Sequence, residues 1–219
     1  GLVIESENSI VIGEKTGLCR LIDKDGDHWA DQRQNLSDQF RFYGNYHEYL
    51  HGPIPYKGGY LYGLNLTHNL PGNYKAGGKY MGTGGGLKGW MCRVDAKGNF
   101  STFASGLRSP AGLSLSPEKE IIYTENQGEY VGTSKVFKVI KGKFYGNPTG
   151  LVDLPGMTPK SKEIQWNAVK NKRQLPLVLL PHNIVMNAPG NPTWDTTKGK
   201  FGPFSGQMFL GDQTQSCIY

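Results

Sequence analysis

Cysteine is scarce in this 219-residue chain. Cys19, Cys92 and Cys217 occur without CxxC, CxxCH or clustered histidines, which excludes zinc ribbons and leaves no haem in this chain. Cys19 and Cys92 each lie in an apolar strand pattern, so buried free thiols are expected rather than a disulfide. Charge is thin as well: 19% of residues are charged, too few for a disordered chain, whereas 37% hydrophobic and 11% aromatic residues suffice for a core. Long apolar runs are missing. The longest, Leu175 to Pro181, falls far short of the roughly 20 residues a bilayer-crossing helix needs, so no membrane span is expected. No GK[ST] follows Gly77-Gly78 or Gly82-Thr83-Gly84-Gly85-Gly86, which removes a phosphate loop, and no GxSxG elbow supports a serine hydrolase.

Residues that interrupt regular structure are abundant: 31 Gly and 13 Pro make up about one residue in five, against a helix bundle. The net charge is +6, but the basic residues are scattered. The densest group, Lys160, Lys162, Lys170, Lys172 and Arg173, reads as a solvated loop, so no nucleic acid partner is expected.

Period-2 apolar patterns recur between Gly and Asn turns, the mark of short antiparallel strands, and an all-β chain follows. Gly1-Leu2-Val3 leads to Ile10-Val11-Ile12-Gly13, Gly52-Pro53-Ile54 to Tyr60-Leu61-Tyr62-Gly63, and Gly112-Leu113-Ser114-Leu115 to Ile121-Ile122-Tyr123. A weaker fourth copy pairs Asn183-Ile184-Val185 with Met208-Phe209-Leu210-Gly211. These starts are spaced near the roughly 40 to 50 residues of a propeller blade before insertions. The spacing predicts a β-propeller with about four blades, with a β-sandwich as the rival. Leu18 to Ile22, Trp90 to Val94 and Val136 to Val139 are outer-strand candidates, the last two followed by hairpin signals at Asp95-Ala96-Lys97-Gly98 and Lys141-Gly142-Lys143. Residues 1–219 read as one propeller domain. The absence of an initial Met and of an outer strand after Gln213 leads to the expectation of a processed or partial chain, completed by a missing segment or a second chain.

The sharpest local motif is Asp23-Lys24-Asp25-Gly26-Asp27-His28-Trp29-Ala30-Asp31, with carboxylates at loop positions one, three, five and nine. His28 replaces the turn glycine of an EF-hand and Gln34 its closing Glu, so no EF-hand results. Four carboxylates in nine residues repel unless screened, which makes Asp23, Asp25, Asp27 and Asp31 candidate ligands of a structural calcium; a solvated Asp-rich turn is the alternative.

Asn45-Tyr46-His47-Glu48-Tyr49-Leu50-His51-Gly52 precedes an inner-strand candidate, the entrance of a propeller funnel. His47 or His51 is a candidate general base, since imidazole titrates near neutrality; a structural hydrogen-bonding role is the alternative. Arg108-Ser109-Pro110-Ala111-Gly112 and Pro181-His182-Asn183 precede the third and fourth inner strands, so three blades aim polar groups at one region. Glu125-Asn126-Gln127-Gly128-Glu129 and Gly211-Asp212-Gln213 read mainly as loop caps. Asn35-Leu36-Ser37, Asn65-Leu66-Thr67 and Asn99-Phe100-Ser101 match the glycosylation sequon.

The ordered set of Asp23 to Asp31, His47-Glu48-Tyr49 to Gly52, Leu107 to Gly112, Tyr123 to Gly128, Phe144-Tyr145-Gly146-Asn147-Pro148 and Gly202 to Gln213 resembles a family of membrane-bound dehydrogenases. That family is related to the L-sorbosone and soluble quinoprotein glucose dehydrogenases. The resemblance implies a six-bladed propeller, exported to the periplasm or outside the cell, that oxidises a carbohydrate-like substrate. It also implies pyrroloquinoline quinone as hydride acceptor, with a histidine before an inner strand taking the hydroxyl proton; His47 and His51 both fall in that segment. Arg108 matches half of a quinone-binding Arg-Asn pair, Ser109 standing where the Asn would be, and His182 and Asn183 are further cofactor-binding candidates. Two other readings stand beside this one: a non-catalytic propeller binding carbohydrate or protein through Tyr46, Tyr49 and Tyr56, and a structural subunit completed by another chain.

Overall fold

The computed structural model describes residues 1–44, 46–66, 84–128 and 130–219. The alternating patterns form the strands β1 (Leu2–Ser6), β2 (Ser9–Glu14), β3 (Gly17–Ile22), β4 (Gln32–Ser37), β5 (Leu50–Tyr56), β6 (Gly59–Leu64), β7 (Trp90–Val94), β8 (Phe100–Ser105), β9 (Gly112–Leu115), β10 (Ile121–Glu125), β11 (Ser134–Lys138) and β12 (Val178–Leu180). They make three four-stranded antiparallel meanders, β1 to β4, β5 to β8 and β9 to β12. Two short pairs follow, β13 (Thr193–Trp194) with β14 (Met208–Phe209) and β15 (Gly211–Asp212) with β16 (Cys217–Ile218).

The sheets are stacked face to face by apolar layers. Val11, Leu18, Leu50, Tyr62, Trp90 and Cys92 fill the space between the first and second sheets. Ile54, Met91, Phe103, Leu113, Tyr123 and Phe137 fill that between the second and third, and Ile122, Val136, Leu180, Met186 and Leu210 lie between the third and the short pairs. The first strands of neighbouring meanders touch, β1 and β2 against β5 and β5 against β9. Successive four-stranded sheets packed in this way around their first strands form the arrangement of a propeller. Cys19 and Cys92 are buried free thiols, as their strand patterns indicate.

Three of the four expected inner hairpins pair as read: Val3 opposite Val11, Ile54 opposite Leu61, and Leu113 opposite Tyr123. The fourth is displaced. Asn183 adopts a left-handed φ of 62°, and the N–H groups of Ile184, Val185 and Met186 all turn back onto Pro181 O. Asn183-Ile184-Val185 is therefore a turn, and the strand opposite Met208–Phe209 is Thr193–Trp194. Among the described residues there are three four-stranded sheets and two strand pairs, so the expected fourth blade is represented by the short pairs alone.

The second correction concerns Lys141-Gly142-Lys143. It turns, with Lys143 N–H donating to Ile140 O at 3.2 Å, but the chain does not return to its own sheet. It crosses to the second sheet, where Phe144 bridges Ser105 in parallel. Tyr145 holds this crossing in place, edge-on to Tyr123 and Phe137 at 5.5 and 5.1 Å, with its hydroxyl donating to Lys138 O. Short 3-10 turns and one helical turn, Trp166–Val169, follow before β12 closes the third sheet. The basic cluster read as a surface loop lies in this segment. Gly77-Gly78 and Gly82-Thr83 lie outside the described residues.

Candidate functional site

In an antiparallel meander successive connections alternate between the two ends of the sheet. The connections β2 to β3, β4 to β5, β8 to β9, β10 to β11 and β12 to β13, with the end of β6 and the start of β7, thus share one end, termed the upper end, and the β1 to β2 and β3 to β4 turns the other. His47, His51, Arg108, Asn126, Gln127 and His182 all belong to the upper end, whereas the Asp23 to Asp31 loop belongs to the lower.

A hydrogen-bonded chain ties the upper connections of the second and third sheets together. The buried Asn65, just after β6, donates through its side chain to His47 O at 2.6 Å and accepts from Tyr49 N–H at 2.7 Å. Leu66 N–H donates to Arg108 O at 2.8 Å, and Asn126 N–H reaches Ser109 O at 3.4 Å. The rings of His47 and His51 flank Tyr49 at centroid distances of 6.0 and 6.2 Å. His51 is the second residue of β5, directly before a β-bulge between His51 and Ile54, where Gly52 has a φ of +91°. An added Cβ at Gly52 would lie 3.2 Å from Leu61 O and 3.3 Å from a Leu113 methyl, so glycine is required here on both counts.

Two buried ion pairs brace this end. Lys88 Nζ lies 2.9 Å from Glu48 Oε2, both side chains almost fully enclosed, and the same carboxylate accepts Tyr43 N–H. Lys135 Nζ lies 3.4 Å from Glu125 Oε2 and donates to Asn126 O and Thr133 O, while Glu125 Oε1 accepts Arg108 N–H at 2.5 Å. Burial pushes the Glu125 carboxyl up and the Lys88 ammonium down, each offset by its partner. Burial lowers His51 to about 4, so its imidazole is neutral at ordinary pH.

Several buried polar atoms at this end have no hydrogen-bond partner among the described residues: His51 Nε2, Asn126 Oδ1, Gln127 Oε1 and His182 Nδ1. Native interiors pair nearly all such groups, and a cluster of unpaired ones marks a place where a polar ligand or ordered water completes the bonding.

The structure brings His47, His51 and Arg108 together through the Asn65 chain, and places His182 and Asn183 differently. They follow β12, the outermost strand of the third sheet, at the outer side of the upper end. Asn183 is exposed and accepts from the Asn187 amide at 3.2 Å. The residues ahead of the fourth inner strand are instead Asn191 and Pro192, and Asn191 Oδ1 accepts Leu113 N–H at 2.9 Å. Of the expected aromatic groups, Tyr46 and Tyr49 are exposed beside His47. Tyr56 ends β5 at the lower end, edge-on to Phe103 at 5.5 Å, and takes no part. Asn65, Lys88 and Lys135 were not apparent as site residues in the sequence. Asn65 stands in a sequon, yet it is a fully buried bracket for His47 and Tyr49.

At the lower end, carboxylate oxygens of Asp23, Asp25 and Asp27 lie within 4.8 Å of one another. Asp23 accepts the N–H groups of Gly26 at 2.7 Å and His28 at 2.9 Å, which hold its carboxyl below the usual range. Asp31 lies outside this group and accepts Lys24 N–H at 2.7 Å.

The sequence resemblance implies pyrroloquinoline quinone, a tricarboxylate, whose binding needs several unneutralised cations. The upper end does not fit it from the described residues, because Lys88 and Lys135 are already neutralised by Glu48 and Glu125. The unpaired imidazole and amide atoms suit a neutral, hydroxyl-rich ligand instead.

No family model matches the sequence, and no curated protein does. The fold, by contrast, matches solved sugar dehydrogenases. Over 96% of this chain it is similar to the soluble aldose sugar dehydrogenase of Escherichia coli, in its apo form, at 14% identity and a TM-score of 0.62, covering 62% of that chain. The holo pyranose dehydrogenase PQQ domain of Coprinopsis cinerea gives 14% identity and 0.58, with 96% and 59% of the two chains covered. A calcium structure of a carbohydrate-active enzyme of family AA12 from Trichoderma reesei gives 11% and 0.59, with 96% and 60% covered. The chain therefore has the fold of the quinoprotein sugar dehydrogenases and spans about three fifths of the length of these relatives.

Proposed function

We propose that this chain is the major part of a propeller of the sugar dehydrogenase type, which takes a carbohydrate-like substrate at its upper end. The observation that carries the reading is the set of unpaired buried atoms on His51, Asn126 and Gln127, at the end that also holds His47 and Arg108. Hydroxyl groups both donate and accept, so a polyol satisfies imidazole nitrogens and amide oxygens together. Removing a hydride from a sugar carbon requires that the adjoining hydroxyl lose its proton. His47 or His51 receives it, since a neutral imidazole accepts a proton. Oxidation also needs a two-electron acceptor, and the cations that would hold a quinone are to be sought outside the described residues. Asp23, Asp25 and Asp27 offer a structural calcium site at the lower end, away from the substrate. The family likeness supports export from the cytoplasm.

The test is dye-linked oxidation of an aldose panel by the longest natural form of the chain, with pyrroloquinoline quinone and calcium added. Turnover that disappears in the His47→Ala/His51→Ala double variant is expected, and unchanged turnover overturns the histidine roles. The neutralised lysines favour one second reading, a propeller that binds carbohydrate without oxidising it. Saturable sugar binding without turnover or bound quinone would establish that reading.

A further inference from the structure

A cavity of about 480 Å³ lies along β8, the outer edge strand of the second sheet. One wall is the edge strand β8 from Thr102 to Ser105, with Trp90 behind it; the other is the segment that crosses from the third sheet, through Phe144, Leu151, Met157, Ile164 and Val169. The roof is fixed to the second sheet by Ser105 N–H to Lys143 O at 3.1 Å, Trp90 Nε1–H to Gly150 O at 2.7 Å and Leu87 N–H to Asp153 Oδ2 at 3.0 Å. The space is thus built by the fold, and its volume lies within the roughly 300 to 1,000 Å³ of small-molecule sites. Its walls are mainly hydrocarbon and aromatic, which would leave the hydroxyls of a sugar unpaired.

The mouth has the opposite character. Exposed Lys141 and Lys172 stand at the rim with Glu163. Residues 139–177 carry seven lysines and arginines against Asp153 and Glu163, so nearly all of the chain's net charge of +6 resides on this segment. An apolar chamber with a cationic rim selects a molecule with an apolar body and one anionic head. We propose that the cavity binds an amphiphilic monocarboxylate of the fatty-acid class, its hydrocarbon chain among Phe144, Leu151, Met157 and Ile164 and its carboxylate between Lys141 and Lys172. This site is independent of the carbohydrate reading, because it shares no residue with the upper-end cluster.

The experiment is calorimetric titration of the full chain with dodecanoate below its micelle concentration, against dodecanol and dodecyltrimethylammonium as probes of the head group. Saturable binding of dodecanoate is expected, with the cationic amphiphile failing to bind. The surface variant Lys141→Glu/Lys172→Glu should weaken dodecanoate by about tenfold or more, the scale of a lost charge-assisted hydrogen bond, and leave dodecanol unchanged. Met157→Glu, at a partly buried position of the lining, should weaken both. Absence of saturable dodecanoate binding to the unmodified chain, or equal affinity in the charge-reversed variant, overturns the proposal. Both readouts are separate from sugar binding and turnover.

Discussion

His51 keeps a neutral imidazole because burial lowers its pKa from 6.5 to about 4. Between those values the unfolded chain binds a proton that the folded chain does not, so stability is full above about pH 6.5 and falls as pH drops toward about 4. Replacing the imidazole by His51→Gln should flatten that slope, read from urea midpoints across the same pH range; an unchanged slope would show that other groups carry it. The Glu48–Lys88 pair makes a second prediction at this scale. Lys88→Met leaves the Glu48 carboxylate enclosed without its ammonium and should cost about 3–5 kcal/mol in denaturant unfolding, whereas the double change Glu48→Gln/Lys88→Met should recover part of the loss. The histidines were legible in the sequence because their residue type is rare and their position before a strand is informative. Lys88 and Asn65 were not, since burial of a lysine or an amide depends on the partner that tertiary structure brings to it.

At the scale of the strand, the His51-Gly52-Pro53 sequence sets a bulge at the head of β5, and the bulge presents His51 to the upper end. Gly52→Ala forces a side chain into a left-handed position against Leu61 O and should destabilise the protein by about 1–3 kcal/mol, with weaker sugar binding from displacement of His51. Equilibrium unfolding together with sugar titration reads both effects. Period-2 patterning was sufficient to find β1 and β2, β5 and β6, and β9 and β10, since each buries one face against a neighbouring sheet. It failed at Asn183-Ile184-Val185, where apolar residues sit in a turn stabilised by Asn187 and Pro181. It also failed across residues 139–177, because 3-10 turns have no regular apolar period and their path depends on Tyr145 docking between two sheets.

For the whole molecule, the meander separates two ends with different chemistry: acidic side chains gather at the lower turns, imidazoles and amides at the upper connections. Calcium held at Asp23, Asp25 and Asp27 should raise the melting temperature without altering sugar affinity, and Asp23→Asn/Asp25→Asn should abolish the rise. A calcium effect that persists in that variant would place the ion elsewhere. The propeller class was legible from the spacing of the hairpins, but the number of blades was not, because a fourth hairpin interrupted by Pro and Gly does not reveal whether its outer strands form. The upper end as a meeting place followed from topology; which residues face one another there depended on the Asn65 bracket. Hydrogen-exchange mass spectrometry with and without a saturating mixture of D-glucose, D-galactose and D-xylose tests the central claim most directly. Protection is predicted in 46–51, 106–111 and 125–128, with 23–31 unchanged, whereas protection confined to the lower turns, or none at all, would contradict it.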